Sequence, residues 1–233
     1  LETLQSEVER VPLRVDILQS FSVKWLVPRL GRFHEEYPEI DVWISTHDEL
    51  VDLSGHGVDI AIRLGNGDYP GLTSTLLLKE HVFPVCSPDF LARHENLKTP
   101  ADLVGVPLLL RLGDPAHPNW EDWFKKAGVG DVSPSEGTRF PDSNMALQAA
   151  KEGLGVALAR TAHVSDDLTA GNLVRLFDVD HRSSVSYYLV CPEAMSEKPR
   201  IVAFRDWLLA EAKIAQDEYD KTASVRLASA GIG

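Results

Sequence analysis

The sequence predicts an α/β fold with a largely parallel sheet. Three observations carry that prediction: apolar runs of strand length recur along the chain, most are followed by apolar residues at helical spacing, and Gly- or Pro-marked turns separate the two kinds of segment. The 233 residues suit one large domain or two small ones of roughly 100 residues each. With 44% hydrophobic and 25% charged residues, the chain has the composition of a packed globular protein.

Leu13 to Leu18 reads as a buried strand. Ser20-Phe21-Ser22 then leads into an amphipathic helix carrying Trp25, Leu26, Leu30 and Phe33. Pro28 belongs in or near a first turn, so regular helix is expected to begin around Lys24 to Val27. Ile40 to Ser45 is the next strand, Glu49 to Ser54 a short helix and Val58 to Leu64 a third strand, closed by the loop signals Gly65-Asn66-Gly67 and Pro70-Gly71. A second unit begins near Pro88. Its expected elements are helix Pro88 to Arg93, a turn at Thr99-Pro100, strand Val106 to Leu110, helix Asn119 to Ala127, strand Gly137 to Phe140, helix Ser143 to Glu152 and strand Gly155 to Ala159. Val185 to Val190 reads as a long strand, and Ile201 to Ala215 as an amphipathic helix with Ile201, Phe204, Trp207, Leu208 and Ile214 on its apolar face.

The ends differ from this middle. Leu1, Leu4, Val8 and Val11 repeat with the a/d spacing of a coiled-coil seam, so the sequence reads as opening inside a helix. Lys221 to Gly233 is rich in Ala, Ser and Gly and is expected to be a loose tail.

Charge and composition exclude several function classes. The net charge of −12 argues against nucleic acid as a partner of this surface, because duplex binding needs clustered Lys and Arg. No run of apolar residues reaches the roughly 18 of a membrane span. Two cysteines do not make a disulfide framework and fit a reducing cytoplasm. Cys86 and Cys191 each end an apolar strand. A redox pair is one reading and two isolated buried thiols the stronger one.

Catalytic signals are weak: there is no GxSxG elbow, HExxH, CxxC or P-loop. Gly153-Leu154-Gly155 lies between a helix and a strand, the reverse of a dinucleotide fingerprint, and reads as a helix stop and tight turn. The eight histidines lack metal-ligand spacing, although His47 and His163 follow strand ends. No cofactor and no metal are expected. Two strand-to-helix junctions carry a physical argument for binding instead. Ser20-Phe21-Ser22 and Asp142-Ser143-Asn144 each place hydroxyls where unpaired backbone N–H groups and a partial positive charge favour a carboxylate or phosphate. Each is also readable as a plain N-cap.

The stretches Ser20-Phe21-Ser22-Val23-Lys24-Trp25-Leu26-Val27-Pro28-Arg29-Leu30 and Tyr37-Pro38-Glu39-Ile40 resemble the opening of the effector-binding domain of LysR-type transcriptional regulators. Val51-Asp52-Leu53, Gly57 to Gly65 (GVDIAIRLG), Phe83 to Pro88 (FPVCSP), Pro100-Ala101-Asp102-Leu103, Trp120 with Trp123-Phe124, Ala127-Gly128, and Ala149-Ala150 with Gly153 to Ala159 follow in the expected order. Ser45-Thr46-His47 and Tyr187-Tyr188-Leu189-Val190 look most like the subgroup of glycine-cleavage and β-lactamase regulators.

The resemblance implies two Rossmann-like subdomains joined by two crossover strands, a periplasmic-binding-protein type II-like architecture. The first would be about 12–85 plus 198–215 and the second about 86–187, with 188–197 the returning crossover, 1–11 the end of a linker helix and 216–233 a tail. It further implies a small polar or anionic effector in the cleft between subdomains. Carried over position by position, the effector contacts are Ser20, Phe21, Ser22, Arg63, Gly65, Ser143, Asn144 and Tyr187. Phe140-Pro141-Asp142-Ser143 departs from the family's more usual Phe-Asp-Ser-Ser. The resemblance also implies a cytoplasmic homodimer, a homotetramer when full-length, contacting promoter DNA through an upstream winged helix-turn-helix domain that this chain lacks. A transporter's solute-binding protein of the same architecture is the alternative, and Arg63 is also readable as a structural ion-pair residue.

Overall fold

The computed structural model describes residues 11–47, 57–112, 119–179 and 181–230. The heptad-like start up to residue 10 and the expected helix Glu49 to Ser54 lie outside them. The fold is α/β, and its chain divides into two compact units. One holds the described residues up to Leu77 with Tyr187–Glu211, the other Leu78–Ser186 with the described residues from Ala212 onward.

In the first unit β1 (Leu13–Ile17) lies between β2 (Val42–Thr46) and β3 (Ile60–Gly65), parallel to both, with Asp16 opposite Ser45 and Ala61. The strand β9 (His181–Pro192) adds to the far side of β3. Leu13, Val15 and Ile17 are buried on one face of β1, and on the other Arg14 is exposed and Asp16 buried, so a strand that alternates apolar and polar residues still carries one buried charge. The first helical stretch differs from expectation. Turns begin at α1 (Gln19–Phe21), pass through a π segment Ser22–Leu26 and a 3₁₀ segment Val27–Arg29, and become regular only at α2 (Leu30–Glu36). Pro28 sits in the middle, where its missing N–H breaks the regular ladder and wider and tighter turns absorb the gap. Trp25, Leu26 and Phe33 are buried, and Phe33 packs edge-on to Phe204 with ring centroids 5.1 Å apart and against Trp207 at 5.0 Å.

The second unit is built on β4 (Leu72–Cys86) from Leu78 onward, β5 (Leu108–Arg111), β6 (Arg139–Phe140), β7 (Val156–Arg160) and β8 (Val174–Arg175). Strand order is β4-β7-β5-β6, with β8 also on β4; β4 and β7 are antiparallel, whereas β5 runs parallel to β7 and β6. The expected boundary at Cys86 thus falls instead inside β4, because its second half pairs with β7 and β8. Tyr187 goes with the first unit and residues 212–215 with the second.

The helices of this unit are α3 (Pro88–Arg93), α4 (Trp120–Lys126), α5 (Ser143–Lys151) and α6 (Thr161–Thr169). Ser87 caps α3 by accepting from Phe90 N at 3.2 Å, and Asn119 and Asp122 form a reciprocal capping box at α4. At Thr99-Pro100 the expected turn extends into a 3₁₀ helix, Pro100–Gly105, started by a Thr99/Asp102 capping box. Helix α6, which the sequence does not announce, owes its existence to packing of Ala162, His163 and Val164 rather than to propensity, since Thr, Ser and Asp are indifferent helix formers. Gly153, at φ 72°, ends α5 as expected, and a Cβ on Gly155 would lie 2.5 Å from the Pro107 carbonyl oxygen.

The last helix, α7 (Pro199–Ala230), differs from the expected loose tail: it continues to Ala230 through Lys, Ala, Arg and Leu, good helix formers interspersed with weaker Thr, Ser and Val, ahead of the first glycine at Gly231. Ile201, Phe204, Trp207 and Leu208 are buried as expected, but Ile214 is 55% exposed.

Candidate functional site

Polar residues collect at the carboxyl ends of the parallel strands in each unit, where open α/β sheets place ligands. In the first unit the centre is Asp16, fully buried near the end of β1. Its carboxylate accepts from Ser45 Oγ at 2.7 Å and from the Arg63 guanidinium, and lies 2.5 Å from His47 Nδ1. Burial alone would raise the Asp16 pKa, but the hydrogen bonds with His47, Arg63 and Ser45 outweigh it and hold the carboxyl below its ordinary value. Arg63 therefore carries the structural ion pair that the sequence leaves open. One of its nitrogens, Nη1, is buried without a partner among the described residues.

The other sequence-nominated residues of this unit are placed as follows. Ser20 lies inside α1 and is not its cap, a position held by Leu18 without a side-chain bond. Phe21, Ser22 and Tyr187 are buried, and the fully buried Tyr187 ring packs on Phe21 with centroids 4.1 Å apart. Gly65 ends β3 where a Cβ would come within 2.6 Å of the Tyr69 hydroxyl, so no larger residue fits without moving that ring.

In the second unit Asp142 is the N-cap of α5, accepting from Met145 N at 3.0 Å, and Ser143 is the first helical residue. Ser143 opens into a cavity of about 230 Å³ whose lining includes Asn119, Glu121 and three arginines, Arg111, Arg139 and Arg160. Asn144 does not line it, and its Oδ1 is buried without a partner among the described residues. The arginines were not anticipated. Arg111 and Arg160 are the last residues of the parallel neighbours β5 and β7, and Arg139 pairs with Leu110. The available signal was an arginine closing an apolar run, as in Leu108-Leu109-Leu110-Arg111 and Val156-Ala157-Leu158-Ala159-Arg160. Arg139 Nη2 donates to Ser135 O at 2.8 Å, which holds that side chain in place.

Glu80 on β4 is 1% exposed, with Oε1 accepting from Ala162 N at 3.3 Å and Oε2 without a partner among the described residues. Burial pushes its pKa up to about 8 against the opposing pull of Arg160 and the Ala162 N–H. The two thiols are both free and buried, Cys86 pushed up to about 12 and Cys191 also raised, in each case by burial, which leaves them poor nucleophiles. His163 is buried in α6. Among the described residues no cluster of three or more His, Cys, Asp or Glu is disposed to hold a metal ion, and no helix is long and apolar enough to cross a membrane.

Comparison with known proteins is consistent over almost the whole chain. A family model described as the LysR substrate binding domain matches residues 6–213. The glycine cleavage system transcriptional activator of Escherichia coli is 39% identical over 216 residues, 93% of this chain and 70% of that protein. The transcriptional activator AmpR of Pseudomonas aeruginosa is 34% identical over 215 residues, 92% of this chain and 70% of that protein. In solved structures, the effector domain of that AmpR matches with a TM-score of 0.72 at 33% identity, covering 90% of this chain and 100% of the other. The AmpR effector binding domain of Citrobacter freundii gives 0.70 at 29% identity, covering 87% and 98%. These relatives are transcriptional regulators, and nothing in the comparison supports a transporter's solute-binding protein.

Proposed function

We infer function from one premise: the chain belongs to the LysR substrate binding domain family, and it is the effector-binding part of a LysR-type transcriptional regulator. Regulators of this type bind small-molecule effectors and DNA, and oligomerise. We propose that the effector here is small, polar and anionic. The observation that carries this is the cavity at Ser143, where three arginines stand against one glutamate on a chain whose overall charge is −12. Guanidinium groups at the carboxyl ends of parallel strands, beside the N-terminus of α5, are suited to carboxylate or phosphate oxygens.

In this reading Ser143 donates its hydroxyl to the ligand, Arg111 and Arg139 supply charge at the mouth, and Arg160 supplies it at the base. On the resemblance alone we extend the contacts to Ser20, Phe21, Ser22, Arg63, Gly65, Asn144 and Tyr187. With Phe21 and Tyr187 both buried, their part would be to hold the Ser20–Ser22 turns in place. The domain senses and does not catalyse; it works in the cytoplasm as a homodimer, as a homotetramer when full-length, and promoter DNA is contacted by a winged helix-turn-helix domain rather than by this acidic surface. The direct experiment is mass spectrometry of whatever small molecule purifies with the protein and is released on denaturation. An anion retained by wild type and lost from Ser143→Ala supports the reading, whereas a cation or neutral apolar molecule retained by both contradicts it.

A further inference from the structure

The second unit holds another cavity that shares no residue with the one at Ser143. It has a volume of about 400 Å³ and is lined by Phe83, Leu168, Leu173, Val174 and Tyr219, by Thr161, Ser165 and Thr169, and by Ala215, Glu218 and Arg175. Val82 lines the first cavity and Phe83 this one, so alternation along β4 puts them on opposite sides of the strand. The volume falls in the range of roughly 300–1,000 Å³ found for small-molecule pockets.

Its chemistry is divided. Phe83, Leu168, Leu173 and Val174 make an apolar floor, closed on one side by Tyr219, whose ring lies nearly parallel to Phe83 with centroids 6.3 Å apart. Into this floor projects one fixed cation. The Arg175 guanidinium lies 4.4 Å from the Phe83 ring centroid, its Nε donates to Phe177 O at 2.9 Å and its Nη1 reaches the Tyr219 hydroxyl at 3.5 Å. Its Nη2 makes no hydrogen bond among the described residues. A guanidinium held this way presents its remaining donor without further loss of side-chain freedom. Thr161, Ser165 and Thr169 recur every fourth residue of α6 and so stand on one face of it. Thr161 is engaged with the His81 backbone and Ser165 Oγ donates to Asp166 Oδ1 at 3.5 Å, which leaves Thr169 as an additional donor in the same lining. Glu218 lies at the exposed end of the lining.

We propose that this cavity is a second ligand site, separate from the one at Ser143, for a small monocarboxylic acid with an aromatic or branched apolar body. The carboxylate pairs with Arg175 and the Thr169 hydroxyl, and the body lies on Phe83, Leu168 and Leu173. A neutral ligand leaves the fixed charge without a partner, and a purely ionic one leaves the floor empty.

The test is titration of the full chain with benzoate, isovalerate, benzamide and acetate, followed by protein NMR shifts and calorimetry. Benzoate and isovalerate are expected to saturate, with shifts confined to α6, Arg175 and 215–219, and benzamide and acetate to bind about tenfold more weakly or worse. Arg175→Gln is expected to weaken benzoate by about tenfold or more, and Ser143→Ala to leave it unchanged. Ala215→Trp, which fills the cavity without touching the cation, is expected to abolish it. Should Arg175→Gln misfold, the wild-type shift map and the benzoate-to-benzamide ratio decide the matter. The proposal is overturned if benzoate fails to saturate, if benzamide binds equally well, or if the shifts fall at Ser143 and its neighbours.

Discussion

Arg63 and Asp16 form a buried ion pair at the carboxyl ends of two adjacent parallel strands, and Asp16 also holds Ser45 of β2 and His47 just past its end. One carboxylate thereby ties together β1, β2 and β3 at the end where the sheet meets α1.

Removing one partner of this pair is expected to be costly, because the other is left charged in the interior. Arg63→Met should lose roughly 3–5 kcal/mol of unfolding free energy. Asp16→Asn with Arg63→Met should recover part of it. Urea unfolding of the two single variants and the double variant measures the coupling; strictly additive losses would mean that the pair acts as two independent residues.

Asp16 also sets an acid limit. Its folded pKa is depressed, so its contribution is present above the unfolded carboxylate value of 3.8 and lost as pH falls through the folded one. Stability of wild type should therefore fall below about pH 4 more steeply than that of Asp16→Asn, read from melting temperatures across that window.

Glu80 works in the opposite direction. Its folded pKa, about 8, lies above the ordinary 4.5, so the folded state holds the proton more tightly. Its contribution is complete below about pH 4.5 and is lost as pH rises through about 8. Glu80→Gln should flatten that slope and become the more stable protein at about pH 9, by on the order of 1–3 kcal/mol. Equal pH slopes for the two proteins would mean that Glu80 is ionised throughout.

Phe33 joins α2 to the start of α7 through Phe204 and Trp207, all buried in the first unit. Phe33→Ala should cost about 3–5 kcal/mol. Ile214→Ala, at an exposed position of the same helix, should change stability by about 0.5 kcal/mol or less.

The strand and helix alternation, the buried faces of β1 and α7 and the stop at Gly153 were all legible in the sequence, because they rest on local periodicity and turn chemistry. What escaped notice depends on which strands become neighbours. Arg111, Arg139 and Arg160 are separated by about 20 to 30 residues each, and only the parallel order of β7, β5 and β6 brings them to one cavity. Likewise, Arg63 could be nominated from its motif, but its partner Asp16 sits 47 positions earlier. Helix α6 was missed because its residues are weak helix formers held by packing. The helical end of α7 was missed because small residues that suggest a tail also favour a helix. The division inside β4 was not readable, since nothing local marks where one strand changes partners.

The proposed anion site at Ser143 rests on its three arginines. Calorimetric titration of wild type, Arg111→Gln and Ser143→Ala with succinate, citrate and inorganic phosphate tests it most directly, Arg111 being exposed at the end of β5. At least one of these anions is expected to bind wild type saturably and to lose about tenfold or more in affinity in each variant, with unchanged melting temperatures. Binding of the anion that is indifferent to both substitutions would contradict the claim.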